Sequence, residues 1–132
     1  MKKKLRGYIF SREFMGERVP QNVQNLFIRD FCNKKNFDYL LSATEYAMQD
    51  CSMVLEQVVD DLKKIDGIVA YSIFQLPEKK EKRIKYLLKI IKLKKIFYGA
   101  LENLEVKNKN DLLNIEEIWN IKNNLKFCLQ NF

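Results

Sequence analysis

Gly7-Tyr8-Ile9-Phe10-Ser11-Arg12-Glu13-Phe14-Met15-Gly16-Glu17-Arg18-Val19-Pro20-Gln21 is the stretch that decides the fold. It opens as a short apolar strand and breaks into a charged loop at Ser11. It then enters a helix through Val19-Pro20, where the missing proline N–H costs nothing in the first helical turn. Strand, polar loop and helix in that order open the binding crevice of an open α/β sheet.

Outward from this stretch, strands alternate with helices. Strand one is Leu5–Phe10, and the first helix spans Val19 to about Lys35, with Val23, Leu26, Phe27, Phe31 and Cys32 at helical spacing. Strand two is Phe37–Leu41, ending in the polar run Ser42-Ala43-Thr44-Glu45-Tyr46. A second helix follows from Met53 to about Lys64, with Ser52 as N-cap. Ile68–Ser72 is an unbroken apolar strand, the pattern of a strand buried on both faces. A basic helix over Lys80–Lys95, a fourth strand at Ile96–Leu101, a polar loop at Val106–Asn110 and a last helix from Asp111 to about Leu129 complete the chain. The alternation predicts a three-layer α/β fold of the resolvase-like or flavodoxin-like kind. Its sheet is open and mostly parallel, with four strands in the order 2-1-3-4 and a C-terminal helix. The switch point then lies between strands one and three.

The 132 residues suit one domain, 1–132. Hydrophobic residues make up 47% and charged residues 31%, a globular balance, and no apolar run reaches membrane-spanning length. No signal-like segment is expected, so the reading is cytoplasmic. Cys32, Cys51 and Cys128 are widely spaced and read as free thiols. There is no histidine, which excludes Ser-His-Asp and Cys-His catalysis and leaves Glu, Asp, Lys, Tyr or Cys for proton transfer. No metal or cofactor motif is present, and isolated Gly7 and Gly16 form no phosphate-binding fingerprint. The net charge of +7 allows a nucleic-acid or anionic-membrane partner. The chain is also rich in Lys, Asn, Ile, Phe and Tyr together, so the surplus equally fits a solvated surface from an AT-rich coding sequence.

The candidate site gathers at the strand ends. Ser11, Glu13 and Glu45 are the candidate catalytic groups, Ser11 only if a base activates it. Arg12 and Arg18 beside a helix start suit an anionic ligand. Gln21, Ser42, Thr44, Tyr46, Ser72 and Gln75 are further candidate ligand contacts. Both arginines are expected to be exposed and dispensable for folding.

Two resemblances bear on function. Strand one, its loop, the glutamine-bearing helix and Leu55–Tyr71 resemble the catalytic domain of serine recombinases. That family's Tyr-x-Arg-Val-Ser start is replaced by Tyr8-Ile9-Phe10-Ser11, without its arginine and with the serine one position early. Its Asp-Arg-Leu-x-Arg signature falls on Phe74-Gln75-Leu76-Pro77-Glu78, with both arginines gone. The likeness implies the fold and argues against recombination and against a specific nucleic-acid partner. The second resemblance covers Arg6–Glu13, Glu17–Gln21, Leu41–Tyr46 and Tyr71–Pro77. These strings resemble the sporadic carbohydrate cluster protein family, which implies bacterial surface-polysaccharide biosynthesis and an anionic ligand such as a sugar nucleotide or sugar phosphate. A non-catalytic scaffold or regulator is the alternative. In the last helix, Leu112, Leu113, Ile115, Ile118, Trp119, Ile121 and Leu125, extended by Phe127, Leu129 and Phe132, exceed one core-facing stripe. That excess predicts a homodimer through this helix.

Overall fold

A computed structural model describes residues 2–14, 16, 18–48 and 51–130, the side chains of 126–130 excepted. Met15 and Glu17 of the opening loop therefore lie outside the described residues, as do the side chains of Phe127, Cys128 and Leu129 and all of Phe132. The elements are β1 (Lys4–Ile9), α1 (Gln21–Lys34), β2 (Asp38–Thr44), α2 (Met53–Asp60), β3 (Gly67–Ala70), α3 (Lys80–Lys92), β4 (Ile96–Gly99), β5 (Leu104–Val106) and α4 (Lys109–Gln130). Single 3-10 turns sit at Leu62–Lys64 and Ile73–Gln75.

The strands form one 5-stranded sheet in the order β2-β1-β3-β4-β5. The first four are parallel, and β5 is antiparallel to β4. The expected order 2-1-3-4 holds, and the fold is three-layered α/β. The fifth strand corrects the expected count, because Val106 ends a strand rather than opening a loop. Asn103, in the left-handed region, closes a tight turn by donating to the Ala100 carbonyl. A strand of three residues is too short for periodicity to reveal. Strand two runs on to Thr44, so Ser42-Ala43-Thr44 is sheet rather than loop.

One face of the sheet is covered by α1, whose Ile28, Phe31 and Cys32 meet Leu5, Ile9, Val69 and Tyr98. The other is covered by α2, α3 and α4, with Leu55, Val59, Leu87, Ile90, Ile115 and Trp119 on Tyr8, Ile68, Ala70 and Phe97. Each fully buried aliphatic side chain contributes about 1.5–3 kcal/mol. The α1 core face differs from the expected one. Gln24, Ile28, Phe31 and Cys32 point inward, while Val23 is 43% and Leu26 63% exposed. A glutamine holds the first core position, which turns the apparent apolar stripe away from the real one.

Helices α1 and α3 both end through left-handed residues, Asn36 (φ 60) and Lys94 (φ 61), which return the chain to β2 and β4. All four parallel strands therefore start at one edge of the sheet, and their carboxyl ends share the other.

Candidate functional site

Buried side chains hold the loops at the carboxyl edge. Gln24 is fully buried, and its amide donates to the carbonyls of Phe10 at 2.7 Å and Val19 at 2.8 Å. Its Oε1 accepts from Phe10 N–H at 3.4 Å and from Gln75 Nε2 at 2.6 Å. Gln75 Oε1 in turn accepts from the N–H groups of Tyr71 and Ser72. The end of β1, the start of α1 and the loop after β3 are thus joined by two glutamines. Ser72 Oγ donates to Glu102 at 2.6 Å and accepts from Phe74 N–H, while Glu102 also takes Ile73 N–H.

Glu45 performs the capping expected of Ser52. Its carboxylate accepts from the N–H groups of Tyr46, Val54 and Leu55 and from the Tyr8 hydroxyl at 2.9 Å. Ser52 holds the N-cap position of α2 but makes no capping bond, and its hydroxyl meets Tyr86. An anion at a helix start is favourable, and a buried one needs donors of this number. Burial pushes the Tyr8 hydroxyl far above the usual phenol range, and the Glu45 charge adds to the shift.

Above this framework lie two clefts. The larger, about 570 Å³, is lined by Phe10, Phe14 and Phe74, by Arg12, Arg18, Lys79 and Lys82, and by Glu13, Glu78 and Cys51 among others. The smaller, about 510 Å³, is lined by Ser11, Val19, Pro20 and Gln21, with Arg12, Arg18 and Ala47 shared between the two. Arg12 divides them. Its guanidinium lies 4.3 Å from the Phe10 ring centre, and its Nη1 donates to the carbonyls of Tyr46, Met48 and Cys51. Arg12 is therefore half-buried and bonded to the backbone of Tyr46, Met48 and Cys51, not the freely exposed arginine expected. Among the described residues neither Arg12, Arg18, Lys79 nor Lys82 forms a salt bridge. The buried Arg83, by contrast, is held by Glu116 through two bonds of 2.6 and 2.7 Å and by the carbonyls of Pro77 and Glu78.

The clefts bring together Ser11, Arg12, Glu13, Arg18 and Gln21. They do not include Glu45, Ser72 or Gln75, which are buried beneath and hydrogen-bonded within the chain. Ser42 faces α1, bonded to Asn25 at 2.5 Å and to Tyr39. Thr44 is exposed on β2, and Tyr46 meets the site only through its backbone carbonyl. Sequence reasoning saw Lys79 and Lys82 only as part of a basic helix and did not place them at the crevice, whose larger cleft they line. The topology held the signal: a helix that follows a parallel strand begins at the carboxyl edge, so the first turn of α3 must rim the crevice. Among the described residues no group of 3 or more His, Cys, Asp or Glu side chains could hold a metal ion.

No protein-family model and no curated protein matches the sequence. Solved structures do match the fold. The N-terminal catalytic domain of TP901-1 integrase superposes with a TM-score of 0.66 at 14% identity, over 94% of this chain and 98% of that one. A resolvase family site-specific recombinase from Streptococcus pneumoniae superposes with a TM-score of 0.62 at 7% identity, over 96% and 97% of the two chains. The chain has the fold of resolvase-type catalytic domains, and at these identities the likeness concerns fold alone. Among the described residues no helix is long and apolar enough to cross a membrane.

Proposed function

We propose that the paired clefts bind an anionic small molecule, such as a sugar nucleotide or sugar phosphate, for bacterial surface-polysaccharide biosynthesis in the cytoplasm. The observation that carries this reading is the contrast among cations. The one buried arginine is fully paired, whereas Arg12, Arg18, Lys79 and Lys82 rim the clefts without a carboxylate partner among the described residues. Charge-assisted bonds to such groups are worth about 1.5–3 kcal/mol each. Half-buried Phe74 adds aromatic surface on which a base or sugar could rest, while Phe10 and Phe14 are buried beneath the cleft. The polysaccharide setting rests on the matching strings, three of which supply cleft residues.

Ser11, Glu13 and Gln21 are the remaining polar candidates, and Glu13, which lines the larger cleft, is our candidate for proton transfer. Glu45, Ser72 and Gln75 support the site from beneath. A second reading, a non-catalytic scaffold or regulator, is favoured by those same internal bonds, since they leave few reactive groups at the clefts. Site-specific recombination, the activity for which the Streptococcus pneumoniae fold relative is named, is disfavoured by the missing signature arginines. We also infer a homodimer through α4, whose Leu113, Ile121 and Leu125 are all more than half exposed.

A thermal-shift screen with sugar nucleotides, sugar phosphates and neutral sugars tests the reading. It expects stabilisation by members of the anionic sets alone. Stabilisation by none of them, together with a biosynthetic protein that co-purifies in fixed ratio, would move the assignment to the scaffold.

A further inference from the structure

The edge of the sheet opposite the clefts is rich in lysine. Lys2, Lys3 and Lys4 lead into β1, and Lys34 and Lys35 close α1. Lys63 and Lys64 close the 3-10 turn before β3, and Lys92 and Lys94 end α3. All of these are exposed. The parallel register brings the segments together, because Lys4 pairs with Asp38, Leu5 with Gly67, and Gly67 with Ile96. Val106 pairs with Phe97, so Lys107 and Lys109, both exposed, join the same edge. Lysines outnumber carboxylates there: Asp30 pairs with Lys34 and Glu105 with Lys107, but among the described residues the other lysines of this edge form no salt bridge.

Helix stabilisation does not account for this edge. A lysine at a helix C-terminus complements the dipole, which explains Lys34 and Lys92. Lys109 begins a helix, where its charge opposes the dipole, and Lys2 and Lys3 precede the strand that Lys4 begins. Nucleic-acid binding fits it poorly. Single strands are tracked by grooves with stacking aromatic residues, and bases are read by arginine forks. The two clefts described above lie at the other edge, together with Arg12 and Arg18. Flat arrays of ammonium groups instead match a plane of lipid phosphates, where each lysine is worth about 1 kcal/mol.

We propose that this lysine-rich edge docks the protein on an anionic phospholipid surface, leaving the clefts facing away from the bilayer. The proposal does not depend on what the clefts bind. The test is flotation of the full chain with vesicles of phosphatidylcholine alone or of equimolar phosphatidylcholine and phosphatidylglycerol. The chain should float only with the anionic vesicles, and added salt should release it. Lys63→Gln with Lys64→Gln should weaken partitioning roughly 25-fold, at about 1 kcal/mol per lysine. Lys80→Gln with Lys85→Gln removes the same charge from the exposed face of α3 and should change it less than about threefold, since screening sets in over about 10 Å. Thermal melts of both variants exclude misfolding. The proposal is overturned if the chain stays out of the anionic vesicles or if the two variants lose affinity equally. It is also overturned if duplex DNA binds at lower concentration than lipid and the Lys63/Lys64 variant abolishes that binding.

Discussion

The amide of Gln75 donates to the side-chain oxygen of Gln24 at 2.6 Å, inside the sheet's carboxyl edge and out of contact with solvent. This bond ties β1 to the loop after β3 and fixes the floor on which the larger cleft stands. Gln24→Leu keeps the volume but leaves the carbonyls of Phe10 and Val19 and the amide of Gln75 without a partner. Unsatisfied buried groups cost about 1–3 kcal/mol each, so the variant should lose about 2–4 kcal/mol after relaxation. Urea denaturation at constant m-value measures it. A loss under half a kilocalorie would mean that water or a neighbour replaces the amide.

Glu45 and Tyr8 should behave as one unit. Glu45→Ala removes the acceptor for two α2 N–H groups and should cost about 2–4 kcal/mol, whereas Tyr8→Phe should cost about 1 kcal/mol. The double variant should be less destabilised than the sum, because the hydroxyl loses its partner in either case. Strict additivity in the cycle would show that the 2.9 Å bond adds no stability.

Alkaline pH should destabilise the fold through Cys32. Burial raises this thiol from its ordinary 9.0 to about 11. The unfolded chain therefore loses the proton first. The contribution is fully present below pH 9 and is lost as pH rises to about 11, a change on the order of 2–3 kcal/mol. Cys32→Ala should flatten the fall in melting temperature across that window. An unchanged slope would place the alkaline sensitivity elsewhere.

Assembly separates the two faces of α4. Trp119 is buried against Phe74 at 5.0 Å between ring centres and lies 4.3 Å from the Arg83 guanidinium. Trp119→Ala should therefore cost about 3–5 kcal/mol and leave the molecular mass unchanged. Ile121→Glu with Leu125→Glu should do the reverse, converting a dimer to a monomer with little change in unfolding midpoint. A wild-type monomer mass in light scattering at micromolar concentration would reject the dimer.

How much could be read beforehand follows the range of the signal. The run Ile68–Ala70 announced a central strand, and the alternation of elements gave the order of the first four strands. Three features escaped. Leu104–Val106 is too short to show a period. Gln24, a polar residue, holds a buried position of α1, so the inward face lies away from Val23 and Leu26, which apolar spacing alone selects. Glu45 and Gln75 carry chemistry-bearing side chains whose partners lie in other elements, Leu55 N–H for Glu45 and the Gln24 side chain for Gln75. Residue type marks such groups as reactive, and only the folded backbone reveals them as supports. Ser11, Arg12, Glu13 and Arg18 were legible because loop and strand end are contiguous. Lys79 and Lys82 reach the same cleft from a separate helix, which composition alone reads as solvent-facing.

The central claim is that the cations rimming the clefts at the carboxyl edge hold an anion. Calorimetric titration of the full chain with inorganic pyrophosphate tests it most directly, because it isolates the charge from any sugar or base. Arg18 and Lys82 are the clean probes, since Arg12 also holds the carbonyls of Tyr46, Met48 and Cys51. The account predicts saturable binding at one site, weakened at least about tenfold by Arg18→Ala and again by Lys82→Ala, with unfolding midpoints unchanged. Absence of binding, or equal affinity in wild type and the double variant, would contradict it.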